Sequence, residues 1–304
     1  MKQKKAFIFI ILAGLLWGSS CLFVSALKPY FTPLQMTGMR GILAGIGMSV
    51  YGYLSNRACF RVKPRWLILF ACNGACLFLT AFFYYSAMPL TGTPTAVILM
   101  YLSTVMVMVF SVLVWKERFT PLKGISVACV LLGCALVSGV IGGLKFHLLG
   151  VIFGLLSGVT YTVYNIITKL AARHHQNPLS VTVYGFLTMS VISLFVVKPD
   201  VTLPTIAGEP IKLIPLVLGL GVCTFIVPYF LYTLSLQELE AGTAASLGVV
   251  EPMAATVYSV VFLQEQLTLA SAIGVVLVIV AVLLLGRAEQ PSNPKTLDNS
   301  ADFK

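Results

Sequence analysis

The chain has 304 residues, 58% apolar and only 10% charged, where a soluble domain carries roughly 25% charged residues; a soluble globular fold is excluded. The formal net charge is +10. The basic residues lie in short stretches between apolar runs rather than along one face, which excludes a nucleic-acid surface and matches the loop bias of membrane proteins.

A membrane span needs about 20 mostly apolar residues. Pro, Gly and charge cut the sequence into ten such runs, near 6–27, 34–54, 66–86, 93–114, 122–141, 148–169, 178–197, 213–233, 243–262 and 269–286. The first follows Lys2, Lys4 and Lys5 and precedes Val24-Ser25-Ala26, so it imitates a cleavable signal peptide. Its length, and a counterpart later in the chain, favour a retained span. Residues 287–304, with Pro291, Pro294, Asp298 and Asp302, have almost no apolar content and read as a disordered tail. Six of the seven cysteines sit in apolar runs and Cys59 in a basic loop. None has metal-ligand or CxxC spacing, so they read as small packing residues.

Residues 93–120 align without gaps onto 241–268, with eight of 28 positions identical, among them Thr95/Thr243, Ser111/Ser259, Glu117/Glu265 and Thr120/Thr268. Gly14-Leu15-Leu16-x-Gly18 likewise answers Gly154-Leu155-Leu156-x-Gly158. The sequence therefore reads as an all-α polytopic membrane protein of ten transmembrane helices, with one five-helix repeat over 1–142 and a second over 143–286. Five spans per repeat is an odd number, so the second repeat should be inverted. With both termini inside, fifteen Lys and Arg fall in the cytoplasm, four outside, and Arg40 within a span. The motif Trp115-Lys116-Glu117-Arg118-Phe119-Thr120 keeps its glutamate in Leu263-Gln264-Glu265-Gln266-Leu267-Thr268, while both flanking cations become glutamine. Inversion predicts that exchange.

These motifs carry a resemblance. Gly14-Leu15-Leu16-Trp17-Gly18-Ser19, Met39-Arg40-Gly41, the Trp115–Thr120 motif, and Tyr232 followed by Ala241-Gly242-Thr243-Ala244, Glu251-Pro252 and Glu265 are together similar to the ten-helix, EamA-type branch of the drug/metabolite transporter superfamily. The resemblance covers residues 6 to about 286. It implies a pseudo-symmetric bundle around a central cavity, with the fifth and tenth spans peripheral, and export or exchange of small metabolites. Gln264 and Gln266 depart from the shorter Gly-Glu style turn common in that family, and Thr37-Gly38-Met39 from its more apolar lead into Arg40.

Glu251 is the one acidic residue deep within a span, where a charge costs about 2.5 kcal/mol or more, so it should face protein or a wet cavity. It reads as a coupling or amine-binding carboxylate, or as a protonated, purely structural acid; its first-half equivalent is Ser103. Arg40 reads as an anchor or coupling residue, pairing with substrate or with Glu251, or reaching back to the membrane surface. Small and polar stripes in spans one, three, six and eight nominate Trp17, Asn73, Tyr84, Tyr161, Asn165 and Tyr232 as cavity lining. His174 and His175 read as solvated, and His147 as an interfacial start of a span.

The spans contain no Asp and no His beyond that edge position, and the chain has no P-loop pattern, so neither a membrane enzyme nor an ATP-driven pump is expected. No cofactor, metal or nucleic acid is expected either. The expected partners are a small-molecule substrate and the lipid bilayer of the cell membrane; monomer and homodimer both stay open. Paired halves that exchange conformations about a central site favour alternating-access transport over a membrane scaffold, sensor or channel.

Overall fold

The computed structural model describes residues 2–116, 120–137, 147–235 and 250–288. Among the described residues there is no strand. The helices are α1 (Lys2–Gly18), α2 (Ser20–Leu27), α3 (Pro33–Ser55), α4 (Pro64–Thr91), α5 (Thr93–Trp115), α6 (Pro121–Val137), α7 (Leu148–Arg173), α8 (Pro178–Val196), α9 (Pro199–Gly208), α10 (Pro210–Gly221), α11 (Val227–Ser235), α12 (Val250–Phe262) and α13 (Leu269–Ala288). Six described stretches, Lys5–Leu27, α4, α5, α7, α8 and Pro210–Tyr232, are long and apolar enough to cross a membrane, and three shorter apolar helices lie in α6, α12 and α13.

Proline opens many of these helices because its missing N–H falls where no helical partner exists. Pro33 follows a reciprocal cap in which the Gln35 N–H donates to Thr32 Oγ1 at 3.3 Å and the Thr32 N–H to Gln35 Oε1 at 2.9 Å. Pro178 follows Asn177, whose side chain accepts from the Leu179 N–H at 2.9 Å. His147 starts α7 the same way, its Nδ1 accepting from the Gly150 N–H at 3.2 Å.

The helices depart from the sequence expectation in several places. The first run is divided at Ser19, whose N–H is shared between the carbonyls of Leu15 and Leu16 and whose hydroxyl donates to Leu16 O. The run near 213–233 is divided by a π-turn over Val222–Ile226. The expected loop 198–212 holds α9, ten residues long and too short to span, and the start of α10. Arg287 and Ala288 belong to α13 rather than to the tail; 289–304, like Glu117, Arg118 and 241–249, lie outside the described residues. Cys59 stands in the short Arg57–Phe60 turn between α3 and α4 and is fully buried there, packed against Gly52, with the Ser180 hydroxyl donating to its carbonyl at 2.7 Å. His174 and His175 are exposed, His174 lying 5.3 Å from the Trp66 ring.

Helix α4 packs along α7, α3 along α8, and α6 along α13, while α1 contacts α11 and α12 and α5 contacts α7. Gly18 and Gly158 permit close approaches beside the aromatic residues. A Cβ on Gly18 would lie 2.6 Å from the Ala254 methyl and 2.8 Å from the Ala255 nitrogen; one on Gly158 would lie 2.9 Å from the Leu99 carbonyl. Those missing side chains draw α12 against α1 and α5 against α7, and so bring the aromatic residues of these helices together. The outer surface is studded with exposed apolar side chains such as Leu54, Ile68, Leu113, Phe195 and Ile211, a surface that lipid rather than water accommodates.

Candidate functional site

Glu251 stands in the first turn of α12. Protein atoms surround it, yet it keeps accessible surface, so it borders an internal space. The Tyr101 hydroxyl of α5 donates to Glu251 Oε2 at 3.0 Å, and a hydrogen bond to a charged group is worth about 1.5–3 kcal/mol. Tyr84 of α4 and Tyr161 of α7 lie within electrostatic reach of the same carboxylate. Tyr161 and Tyr164 are stacked, with centroids 5.6 Å apart and planes 8° apart. Tyr164 and Tyr229 are neighbours. Trp17 of α1 meets Tyr229 edge-on at 5.3 Å and Tyr232 at 5.7 Å. Trp17, Tyr101, Tyr161, Tyr164, Tyr229 and Tyr232 are all only half-buried. The result is an aromatic box around one carboxylate, with walls from α1, α4, α5, α7, α11 and α12.

Arg40 neither snorkels nor forms an ion pair with Glu251 among the described residues. It is 7% exposed, with one guanidinium nitrogen donating to the Tyr85 hydroxyl and the other to the Thr224 carbonyl at 3.2 Å. The Phe225 ring covers its face at 3.9 Å. Pro228 explains the free carbonyl: it has no N–H for the residue one turn earlier, which is Thr224, and the π-turn lies in that stretch. Arg40 thus satisfies an acceptor that proline leaves bare.

The two asparagines stand apart from the box. Asn73 is 1% exposed and ties α4 to α7 through the Tyr164 carbonyl at 3.0 Å and the Thr168 hydroxyl at 3.2 Å. Asn165 donates back one turn to the Tyr161 carbonyl at 2.7 Å. Both brace the helix carrying the stacked tyrosines. Tyr84 is buried, lies beside Ser20 and adjoins Tyr85 at 5.9 Å.

Beyond that tyrosine pair lies a cavity of about 670 Å³, bordered by Cys21, Met36, Tyr85, Met88, Leu263 and Glu265. At its rim Glu265 caps α5 from across the molecule, accepting from the Thr93 N–H at 2.9 Å and the Thr93 hydroxyl at 3.0 Å. Gly92, at φ +83°, supplies no cap of its own and leaves room for the carboxylate. Among the described residues no cluster of three or more His, Cys, Asp or Glu side chains is arranged to hold a metal.

Residues 4–139 and 148–287 each match the profile of the EamA-like transporter family. The chain belongs to the EamA-like transporter family. It is thereby a member of the drug/metabolite transporter superfamily, an integral, multi-pass membrane transporter. Relatives include "Uncharacterized transporter YwfM" of Bacillus subtilis, 24% identical across 98% of each chain. An "Uncharacterized transporter" of Archaeoglobus fulgidus is 28% identical over 69% of this chain and 73% of its own. "Uncharacterized inner membrane transporter YhbE" of Escherichia coli is 27% identical over 66% of this chain and 65% of its own. One solved structure, described only as "Crystal structure of protein", superposes with a TM-score of 0.62 at 20% identity, covering 95% of this chain and 99% of that chain. That likeness concerns the fold.

In this EamA-like chain, Tyr164, like Tyr161, stands out in the sequence as a polar aromatic that close helix packing does not explain, while sequence reasoning missed Tyr101 and Tyr229 as members of the box, Tyr85 and Phe225 as partners of Arg40, and Thr93 as the partner of Glu265. Only the last had a signal: Glu265 survives in a repeat whose neighbouring cations do not.

Proposed function

We propose that the protein is a secondary transporter that exports or exchanges small metabolites, amino-acid-like or amphipathic, by alternating access across the cell membrane, with both termini cytoplasmic. The observation that carries this reading is the half-buried Glu251 carboxylate inside an aromatic box where six helices meet. An acid held in a membrane core is costly, and a scaffold gains nothing from keeping it beside open space.

The helix arrangement supports ten spans in two inverted repeats. The six long stretches, α3 and the three shorter helices supply ten segments. Exchanging each span with the one five places on turns the α4–α7 contact into that of α10–α11 with α1–α2, and α5–α7 into α12–α1, while α3–α8 and α6–α13 map onto themselves. Lys116 and Gln264, equivalent in the repeat, both turn left-handed at φ 55° where their helices end. Such a pairing lets the halves trade conformations about a central site.

The test is untargeted mass spectrometry of medium and cytosol from cells expressing wild type or Glu251→Gln. A solute that accumulates outside only with wild type is the expected result and names the cargo. Identical profiles from wild type, Glu251→Gln and empty cells, in both export and uptake formats, would count for the scaffold or sensor reading.

A further inference from the structure

We infer that the turn where α3 gives way to α4 is a binding site for the headgroup of an anionic phospholipid. The inference goes beyond the transport reading and does not depend on it.

Charge is the first observation. Arg57, Arg61, Lys63 and Arg65 lie between the end of α3 and the first turn of α4, and residues 1–116 contain no Asp or Glu to balance them. All four are exposed, and among the described residues none forms an ion pair. In the proposed repeat the counterpart of this connection is 198–212, which holds Lys198 and Lys212 but also Asp200 and Glu209. There Lys212 lies 3.5 Å from Glu209 and donates to the Tyr30 hydroxyl at 2.6 Å. One connection is balanced and paired within the protein; the other is basic throughout and pairs with nothing there.

The turn is also built rather than loose. The Asn56 side chain accepts from the Ala58 N–H at 3.0 Å, and from α8 the Ser180 and Tyr184 hydroxyls donate to the Cys59 and Phe60 carbonyls at 2.7 and 2.9 Å. Trp66, Phe70 and Val181 form a small core beside it. A topology signal needs only positive charge near a span and gains nothing from a folded turn. Phosphate binding does gain: arginine forks match its oxygens, and a turn already in place avoids the cost of ordering. No side chain caps α4 at Lys63, and an uncapped helix start favours an anion in the same place.

The neighbours select a lipid over a free anion or an acidic protein. Tyr53 and Leu54 precede the turn and Ile68 follows it, all exposed, and the Arg57 guanidinium lies over the Tyr53 ring at 4.1 Å. Cations bordered by exposed apolar side chains fit a charged headgroup that carries acyl chains.

The experiment is native mass spectrometry of the purified full chain in detergent with equal amounts of dioleoylphosphatidylglycerol and dioleoylphosphatidylcholine. These share tails and phosphate and differ in net charge. Each cation near an anionic headgroup contributes about a fivefold gain, so the wild type should favour phosphatidylglycerol by about thirtyfold or more. Arg57→Gln with Arg61→Gln should cut that preference about tenfold. Lys63→Gln with Arg65→Gln should do the same, so a failure of one pair to fold leaves the other to decide. Arg57→Lys with Arg61→Lys should keep most of the preference. Lys4→Gln with Lys5→Gln removes as much charge from α1, which packs on α11 and α12 instead, and should leave it intact. Equal binding of the two lipids, or an equal loss from the α1 pair, would overturn the inference. Displacement of the lipid by inorganic phosphate or by hexaglutamate at the lipid's own concentration would overturn it too, in favour of a free anion or an acidic protein partner respectively.

Discussion

Glu265 joins parts of the chain that lie 172 residues apart, because its carboxylate supplies the helix cap that Gly92 cannot. An acid at a helix start gains from unpaired N–H groups and from the helix dipole together. Glu265→Ala should lower stability by about 1–2 kcal/mol, read as a drop in thermal unfolding temperature in detergent; an unchanged temperature would mean the contact is incidental. The neighbouring Gln264 stands at φ 55°, a left-handed conformation that costs a residue with a Cβ about 1 kcal/mol. Gln264→Gly should therefore raise the same temperature. The expected departure from a Gly-containing family turn at this position thus has a physical content: the backbone keeps the glycine conformation although the side chain does not.

The membrane stretch Pro210–Tyr232 is where local sequence and tertiary contact meet. Pro228 removes a donor, the π-turn over Val222–Ile226 precedes it, and Arg40 from α3 takes the Thr224 carbonyl. If these are one device, Pro228→Ala restores an N–H that competes for the same carbonyl. Arg40→Gln should then cost about 2 kcal/mol in the native background and about 1 kcal/mol less beside Pro228→Ala, a coupling that a double-mutant cycle on thermal stability measures. Strictly additive effects would refute the link. The same stretch marks the limit of what could be read in advance. Apolar runs near Pro33, Pro178 and Leu269 gave those helices to within two residues, because membrane backbone must close its own hydrogen bonds, while the helix from Pro64 runs on to Thr91, five residues past the expected end. The breaks at Ser19 and Val222, and the short α9, depend on local turns that hydropathy does not register. In the site, Trp17, Tyr84, Tyr161, Tyr232 and Glu251 were legible as polar or aromatic interruptions. Tyr101 was not, since it stands in a largely apolar run and the carboxylate its hydroxyl reaches comes from α12. Arg40 was visible as a charge, but the Phe225 ring and the freed carbonyl that hold it belong to another helix.

At the level of the molecule, the proposed inversion asks what would make two similar halves lie in opposite senses. Their helices are alike enough for the Lys116 and Gln264 turns to share one backbone conformation, so the fold alone does not choose the direction of each half. In the proposed topology charge makes that choice: Lys116 and Arg118 flank the first copy of the glutamate, and Gln264 and Gln266 the second. Each cation held on the correct side biases insertion. Putting the first copy's cations into the second, as Gln264→Lys with Gln266→Arg, should set the loop between α12 and α13 against the proposed topology while leaving Glu265 free to cap α5. A reporter fused after residue 304 should then show mixed orientation, against a single cytoplasmic population in wild type, whereas Gln264→Ser with Gln266→Ser should leave it single. A cytoplasmic terminus in both double variants would mean that the first half alone orients the chain, and an external terminus in the wild type would overturn the proposed orientation outright.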